Sequence, residues 1–142
     1  MGKKATAADG ELILKLYDLR REPVMRQARA DMIAKFVPKS WDEMAAVMKG
    51  DHPLNTAYRM VSSYWEMAAS LAKHGALNAE LLAPNFGEGY INFAKVEPHL
   101  PEMRKTAPTA YLNTEWFVKS SKDAKLRFEL MRKRVAGMTA KP

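Results

Sequence analysis

Apolar side chains recur along this chain at helical spacing, and no segment alternates apolar and polar residues with the period of a strand. This pattern predicts an all-α fold. The longest apolar patterns predict an irregular helical bundle, with a long central helix at about 53–74 and a long C-terminal helix at about 109–136.

Capping residues and prolines indicate where the N-terminal helices begin and end. Asp9 is a candidate cap for a helix that starts at residue 10 or 11 and ends near Arg21. Pro23 either begins a second helix that reaches about Phe36 or kinks one longer helix. The predicted organisation is a flexible N-terminus (1–9), a single helical domain (10–136) and a flexible tail (137–142).

Further local signals place the short helices. Ser40 followed by Glu43 has the spacing of a capping box at the start of a short helix. Gly75 is expected to end the central helix in the left-handed conformation, and Asn78 to cap a short helix after it. Another helix is predicted at about 87–96.

On a helical wheel of the central helix, an apolar arc around Trp65 covers more than half of the circumference, and polar residues fill the remaining third. Such a broad arc predicts that this helix is packed on two sides. The apolar residues are Leu54, Tyr58, Met60, Val61, Tyr64, Trp65, Met67, Ala68, Ala69, Leu71 and Ala72; the polar ones are Asn55, Arg59, Ser62, Ser63, Glu66, Ser70 and Lys73.

Glu66 lies in the middle of this polar face. The candidate site, which we call the polar stripe, comprises Arg59, Ser63, Glu66, Ser70 and Lys73. The simplest interpretation is a solvated helix face. The alternative is that the small serines face a shallow groove or another helix. Glu66 would then be partly buried and paired with an arginine, either Arg59 or one from another helix.

Positive charge is concentrated at the C-terminus. The net charge is +7, and residues 119–142 contain eight Lys or Arg and two acidic residues, so the rest of the chain is nearly neutral. The candidate nucleic-acid contacts are Lys119, Lys122, Lys125, Arg127, Arg132, Lys133 and Arg134. Alternatively, this is a solvated helix whose cations are stabilised by the negative end of the helix dipole.

The chain lacks the residues that several classes of binding site and catalytic site require. Without cysteine, the chain has neither disulfides nor thiolate sites. No histidine follows a Glu or another His by three or four residues, the spacing typical of metal ligands on a helix. The glycine pair Gly87 and Gly89 lacks the preceding strand of a nucleotide-binding motif. We therefore predict no catalytic residue, metal or cofactor. No apolar run could span a membrane and no secretory signal is evident, which favours a cytoplasmic protein without membrane contacts.

Three stretches resemble a known family: YDLRREPVMRQARADM, HPLNTAYRMVSSYWEMAASLAKHGAL and FGEGYINFAKVEPHLPEMR. Over about residues 10–130, the chain is similar to a bacterial family of small all-helical proteins described as a domain of unknown function. The shared features are an arginine-rich first helix, the Trp65-Glu66 pair, Gly75, and Met103-Arg104 after a proline. The resemblance implies an all-helical fold and a prokaryotic source, and it implies no activity.

The leading hypothesis is a small helical domain that acts through protein contacts, self-association included. It depends on surplus apolar surface, because Leu126 and Leu130 lie off the apolar stripe of the C-terminal helix. These leucines would pack on the N-terminal helix or on a second subunit. One alternative is a nucleic-acid-associated protein that uses the basic C-terminal helix. The other is a ligand binder or enzyme with a polar groove around Glu66.

Overall fold

The computed structural model describes residues 3–140, and the all-α prediction is confirmed, since no strand occurs in this range. Met1, Gly2, Lys141 and Pro142, from the predicted flexible ends, lie outside the described residues. No helix among the described residues is long and apolar enough to cross a membrane. The helices are α1 (Ala7–Arg20), α2 (Pro23–Lys35), α3 (Trp41–Val47), α4 (Asn55–Lys73), α5 (Ala79–Leu82), α6 (Gly87–Val96), α7 (Leu100–Met103), α8 (Leu112–Phe117) and α9 (Lys122–Thr139), with single 3-10 turns at Ala83–Asn85 and Glu97–His99.

The N-terminal segment forms two helices rather than one kinked helix. α1 begins at Ala7, because the Thr6 hydroxyl accepts a hydrogen bond from the Asp9 backbone N–H and the Asp9 carboxylate accepts one from the Thr6 N–H. The prediction that Asp9 is itself the cap is therefore wrong. α2 begins at Pro23, and the Glu22 carboxylate caps it.

The predicted caps of the short elements are confirmed. The Ser40 hydroxyl caps α3 and the Asn78 side chain caps α5. Gly75 follows α4 with a φ of +78°, a conformation that glycine adopts without steric cost. The backbone N–H groups of Gly75 and Ala76 donate to carbonyls in the last turn of α4, which is the Schellman arrangement.

The central helix is confirmed as α4, which packs against α2, α6 and α8. The structure differs from the helical-wheel prediction at two residues of the polar face, because Asn55 and Ser62 are buried. The Asn55 amide donates to the Val47 carbonyl at 3.0 Å, and the Ser62 oxygen accepts from the Asn92 amide at 3.2 Å. Each polar group is satisfied by a neighbouring element, so burial is tolerated.

The long C-terminal helix is confirmed only from Lys122 onward. The part of the prediction before it is wrong, because two local breaks separate α8 from the preceding turn and from α9. Tyr111 has a φ of +60°, which prevents a helix from continuing through it. The Ser121 hydroxyl then accepts from the Ala124 N–H at 3.1 Å and caps α9. α9 packs on α6 and buries Ala124, Phe128 and Val135.

An aromatic cluster fills the core around Phe86, which is fully buried. The Phe86 ring centroid lies 4.6 Å from that of Phe117, 4.9 Å from Trp65 and 5.1 Å from Tyr90. A Cβ atom at position 89 would lie 2.2 Å from a Phe86 ring carbon, so only glycine leaves room for the ring. Packing against Phe86 therefore explains the glycine at position 89, and a nucleotide-binding motif is not needed to explain it.

We expect Gly89→Ala to lower the free energy of unfolding by about 1–3 kcal/mol, because the added methyl group must displace the Phe86 ring. Gly87→Ala is the matched control. A Cβ at that position meets nothing within 4 Å, and alanine has the higher helix propensity. Urea unfolding followed by circular dichroism measures both variants. Equal stabilities for the two variants would contradict the packing role of Gly89.

Candidate functional site

The Glu66 carboxylate, on α4, caps the N-terminus of α8. One oxygen accepts hydrogen bonds from the Asn113 backbone N–H at 3.0 Å and from its side-chain amide at 2.9 Å. The other accepts from the Thr114 backbone N–H at 2.9 Å and from its hydroxyl at 2.7 Å. These two residues are at the start of α8, where backbone N–H groups have no acceptor within the helix.

α8 depends on this cap because the residue at its own N-cap position does not supply one. Tyr111 occupies that position in the left-handed conformation, and its side chain makes no capping hydrogen bond. α8 is six residues long, far shorter than helices that are stable in isolation. A carboxylate at a helix N-terminus is also favoured by the helix dipole. Glu66 thus stabilises a helix that would not form by itself.

Glu66 is partly buried. The prediction that its carboxylate pairs with an arginine is wrong. Within residues 3–140, no salt bridge includes Glu66. The physical reason is that donors from α8 already occupy both carboxylate oxygens. The positive end of a helix takes the place of a positive side chain.

Arg104 fixes the loop that enters α8. Its guanidinium donates to the Ala110 carbonyl through Nε at 3.1 Å and through Nη2 at 2.9 Å. The same guanidinium contacts the Glu115 carboxylate on α8 at 3.1 Å. The unusual conformation of Tyr111 is therefore held on its N-terminal side by Arg104 and on its C-terminal side by Glu66.

The Tyr111 hydroxyl joins a buried polar cluster on α4. Its oxygen lies 2.6 Å from the Tyr58 hydroxyl oxygen and 3.0 Å from the Ser62 hydroxyl oxygen, which also accepts from the Asn92 amide. Burial raises the pKa of Tyr58 and raises the pKa of Tyr111 well above its usual value. The two phenols are therefore neutral hydrogen-bonding groups at physiological pH.

These contacts form one wall of a shallow cleft of about 610 Å³ that is widely open to solvent and lies between α4 and Tyr111 at the entry to α8. The cleft combines hydroxyl groups, one carboxylate, one guanidinium and one thioether. Its lining residues are Thr56, Tyr58, Arg59, Met60, Ser62, Ser63, Glu66 and Tyr111. We call this the α4–α8 cleft.

The structure brings together three residues of the predicted polar stripe. Arg59, Ser63 and Glu66 line the α4–α8 cleft, whereas Ser70 and Lys73 do not. The Ser63 and Ser70 hydroxyls donate to carbonyls of their own helix. Glu66 is engaged with α8, so within the cleft Arg59 is the charged stripe residue whose side chain remains available to a ligand.

The predicted nucleic-acid residues lie on and just before α9, and two of them are paired. Arg127 contacts the Asp123 carboxylate at 2.8 Å. Arg132 donates to both Glu97 oxygens, at 2.8 Å and 2.5 Å, and also contacts Glu129. The other candidates are exposed and have no carboxylate partner within residues 3–140: Lys119, Lys122, Lys125, Lys133 and Arg134.

Sequence reasoning missed the contribution of α8 to the site. Asn113 and Thr114 are residue types that favour helix N-termini, and this was the available signal. Their acceptor, however, is Glu66, which lies 47 and 48 residues earlier in the chain.

In the part of the chain that the structure describes, no cluster of His, Asp or Glu has the arrangement of a metal site.

Comparison with known proteins identifies the family of this chain. The family model named Domain of unknown function (DUF4760) matches residues 5–121, and the chain belongs to this family. The family resemblance predicted from the sequence is thus confirmed. No curated protein and no solved structure matches the chain. The matched region contains Glu66, α8 and all the residues of the α4–α8 cleft, and it ends before α9.

We expect Glu66→Ala to lower the free energy of unfolding by about 1–3 kcal/mol, because the α8 N–H groups lose their acceptor. Lys73→Ala, at an exposed position of the same helix, is the control and should change stability by about 0.5 kcal/mol or less. Urea unfolding gives the stabilities, and amide hydrogen exchange locates the effect. Faster exchange at Thr114 in Glu66→Ala alone is expected; unchanged protection there would contradict the capping role.

Proposed function

We propose that this protein is a binding domain that holds a small organic anion in the α4–α8 cleft. The observation behind the proposal is the exposed Arg59 guanidinium, which lines a cleft of about 610 Å³. Within the described residues, the Arg59 side chain has no hydrogen-bond or ion-pair partner. Small-molecule sites usually have volumes of about 300–1,000 Å³ and a few convergent polar groups.

The chemistry of the lining favours an anion that carries further hydrogen-bonding groups. A guanidinium binds carboxylate and phosphate groups through paired hydrogen bonds. The Thr56 hydroxyl lies in the same lining, and the Met60 thioether adds a small apolar surface. The donors of α8 offset part of the Glu66 charge, which would otherwise oppose an anion in the cleft.

The same geometry favours binding over catalysis. A general base needs a carboxylate that is free to take a proton, and Glu66 already accepts four hydrogen bonds. Tyr58 and Tyr111 have raised pKa values, so neither phenol is a phenolate nucleophile at neutral pH. The cleft has the groups to hold a ligand and lacks an activated group to transform it.

Replacement of Arg59 tests this proposal. We expect Arg59→Gln to weaken the binding of small anions about 10-fold or more, because a charge-assisted pair is lost. Lys73→Gln is the matched control, since it removes a cation of the polar stripe that lies outside the cleft. Titration with citrate, benzoate and phenyl phosphate, followed by amide chemical shifts, measures each affinity.

A shift pattern centred on residues 56–66 and 111, lost in Arg59→Gln and kept in Lys73→Gln, would support the proposal. Absence of any shift in the wild-type protein, or equal weakening by both substitutions, would contradict it.

Exposed leucines on α9 favour protein contacts, self-association included, as a second function. Leu126 is 61% exposed and Leu130 is 56% exposed, and their spacing of four residues places them on one face. This face points away from the buried stripe that contains Phe128. Lys133 and Arg134 follow it along the helix, so two copies of α9 would repel each other at low salt.

Substitution of both leucines tests self-association. Light scattering after size exclusion should show a wild-type dimer that strengthens with salt, and Leu126→Ser with Leu130→Ser should convert it to a monomer. Leu14→Ser, at a 70% exposed position on α1, should leave the dimer intact. A wild-type protein that is monomeric at every concentration and salt level would remove this candidate.

Nucleic-acid binding through the basic helix remains a weaker proposal, supported by the cations of α9 that have no carboxylate partner. We expect any such binding to be strongest at about 50 mM salt and to fall steeply as salt rises, because counterions are released from phosphates. The absorbance ratio during size exclusion and a gel shift with duplex DNA and RNA measure it. No binding at low salt would exclude nucleic-acid binding through this helix.

The cytoplasmic location and the bacterial origin expected from the sequence stay predictions.

A further inference from the structure

A second cleft, of about 270 Å³, lies between α1, α4 and the residues at the end of α5. We call it the α1–α4 cleft. It is less open to solvent than the α4–α8 cleft, and most of its lining is apolar. The apolar lining residues are Ile13, Leu14, Leu16, Tyr17, Trp65 and Leu82. Leu14 is 70% exposed and Tyr17 is 46% exposed, so α1 offers apolar surface that a ligand could cover.

Arg20 supplies the charge of this cleft. In the described part of the chain, it is the one charged residue of the lining, and the lining contains no carboxylate. Its guanidinium carbon lies 5.4 Å from the ring centroid of Tyr17 and 5.4 Å from that of Trp65. These cation–π contacts hold the guanidinium beside the cleft. Within residues 3–140, no carboxylate and no other hydrogen-bond acceptor pairs with it, so its N–H donors are open to a ligand.

Three acidic residues from neighbouring segments do not compete for the Arg20 guanidinium. Both Glu88 oxygens accept from Arg29 Nε, at 3.0 Å and 2.8 Å. The Glu22 carboxylate caps α2. Asp18 is exposed and lies outside the lining. An anion in the α1–α4 cleft would therefore meet a free guanidinium and no carboxylate of the lining.

The other polar groups of the lining are uncharged and already hydrogen-bonded. Burial raises the pKa of Tyr64 to about 12, so its phenol is neutral at physiological pH. Its hydroxyl donates to the Leu16 carbonyl, and the Asn85 amide donates to the Leu81 carbonyl at 2.9 Å. Arg20 is therefore the group that would orient a charged ligand in this cleft.

We propose that the α1–α4 cleft binds a short monocarboxylate with an apolar body. The carboxylate accepts paired hydrogen bonds from the Arg20 guanidinium, and the body packs against the aliphatic side chains of α1 and the Trp65 ring. The cleft volume is slightly below the range of about 300–1,000 Å³ that is usual for small-molecule sites, so the body is short. This inference is independent of the α4–α8 cleft and of any ligand there.

Charge and geometry favour a carboxylate over a phosphate monoester. A single guanidinium balances one negative charge, whereas a phosphate monoester carries about −1.5 to −2 at pH 7. The carboxylate also matches the planar fork of the guanidinium. Because two rings already restrict the Arg20 side chain, less conformational entropy is lost when a ligand binds. Both parts of the ligand contribute, since the walls are apolar and the guanidinium is charged.

The test titrates the intact protein with hexanoate and follows the chemical shifts of backbone amides and tryptophan indole N–H groups. Shifts are expected at residues 13–17 and 82 and at the Trp65 indole N–H, which is buried and has no hydrogen-bond partner within the described residues. Hexanamide lacks the charge and acetate lacks the apolar body, so we expect each to bind at least about 10-fold more weakly. Equal affinities for hexanoate and hexanamide would overturn the proposal, as would hexanoate shifts confined to residues 56–63 and 111, in the other cleft.

Two adjacent arginines provide the matched variants. We expect Arg20→Gln to weaken hexanoate binding about 10-fold or more, because the charge-assisted pair is lost. Arg21→Gln should leave the affinity unchanged: the Arg21 guanidinium carbon lies 5.6 Å from the same Tyr17 ring, but Arg21 is outside the lining. Arg59→Gln should also leave it unchanged, since Arg59 lines the α4–α8 cleft. Equal weakening by Arg20→Gln and Arg21→Gln would refute the site.

Discussion

The carboxylate of Glu66 at the N-terminus of α8 is the interaction on which the rest of this structure depends. α8 is too short to be stable alone, and its entry residue, Tyr111, has a backbone conformation that disfavours helix continuation. Glu66 supplies the acceptors that this entry lacks, at 2.7 to 3.0 Å. Phe117, at the end of α8, can then reach the aromatic core beside Phe86.

One helix therefore organises both the core and the candidate site. On α4, Trp65 packs against Phe86 while the next residue, Glu66, holds α8. With α8 in place, the Tyr111 hydroxyl meets Tyr58 and closes one wall of the α4–α8 cleft. A change at Glu66 is thus expected to affect the cleft through the position of α8, whereas a change at Arg59 acts on a ligand directly.

The sequence predicted those features that depend on local signals. Helical periodicity located α4, and the caps at Ser40, Gly75 and Asn78 were found because each acts within a few residues of itself. Asp9 was misassigned because Thr6 and Asp9 are both good capping residues, and only the structure shows which one precedes the helix. The error was one of position, since both residues belong to the same capping box.

Other features depend on partners far along the chain. The break before α9 was hidden because Phe117, Ala124 and Phe128 preserve helical spacing across it, although Ser121 caps a new helix. The acceptor of the α8 amides lies 47 residues from Asn113, and the Met32 carbonyl that accepts from the Lys95 amine lies 63 residues from it, so no local pattern reveals either contact. The family match covers residues 5–121 and adds no activity.

The distribution of hydrogen-bond partners separates side chains that hold the fold from side chains available for function. Glu66 and Arg104 are both charged, and both form hydrogen bonds at the entry to α8. Their role is therefore to stabilise the fold there. Arg59 is charged and has no hydrogen-bond or ion-pair partner among residues 3–140. For that reason we propose a role in binding for Arg59 and assign structural roles to the better-paired charges of Glu66 and Arg104.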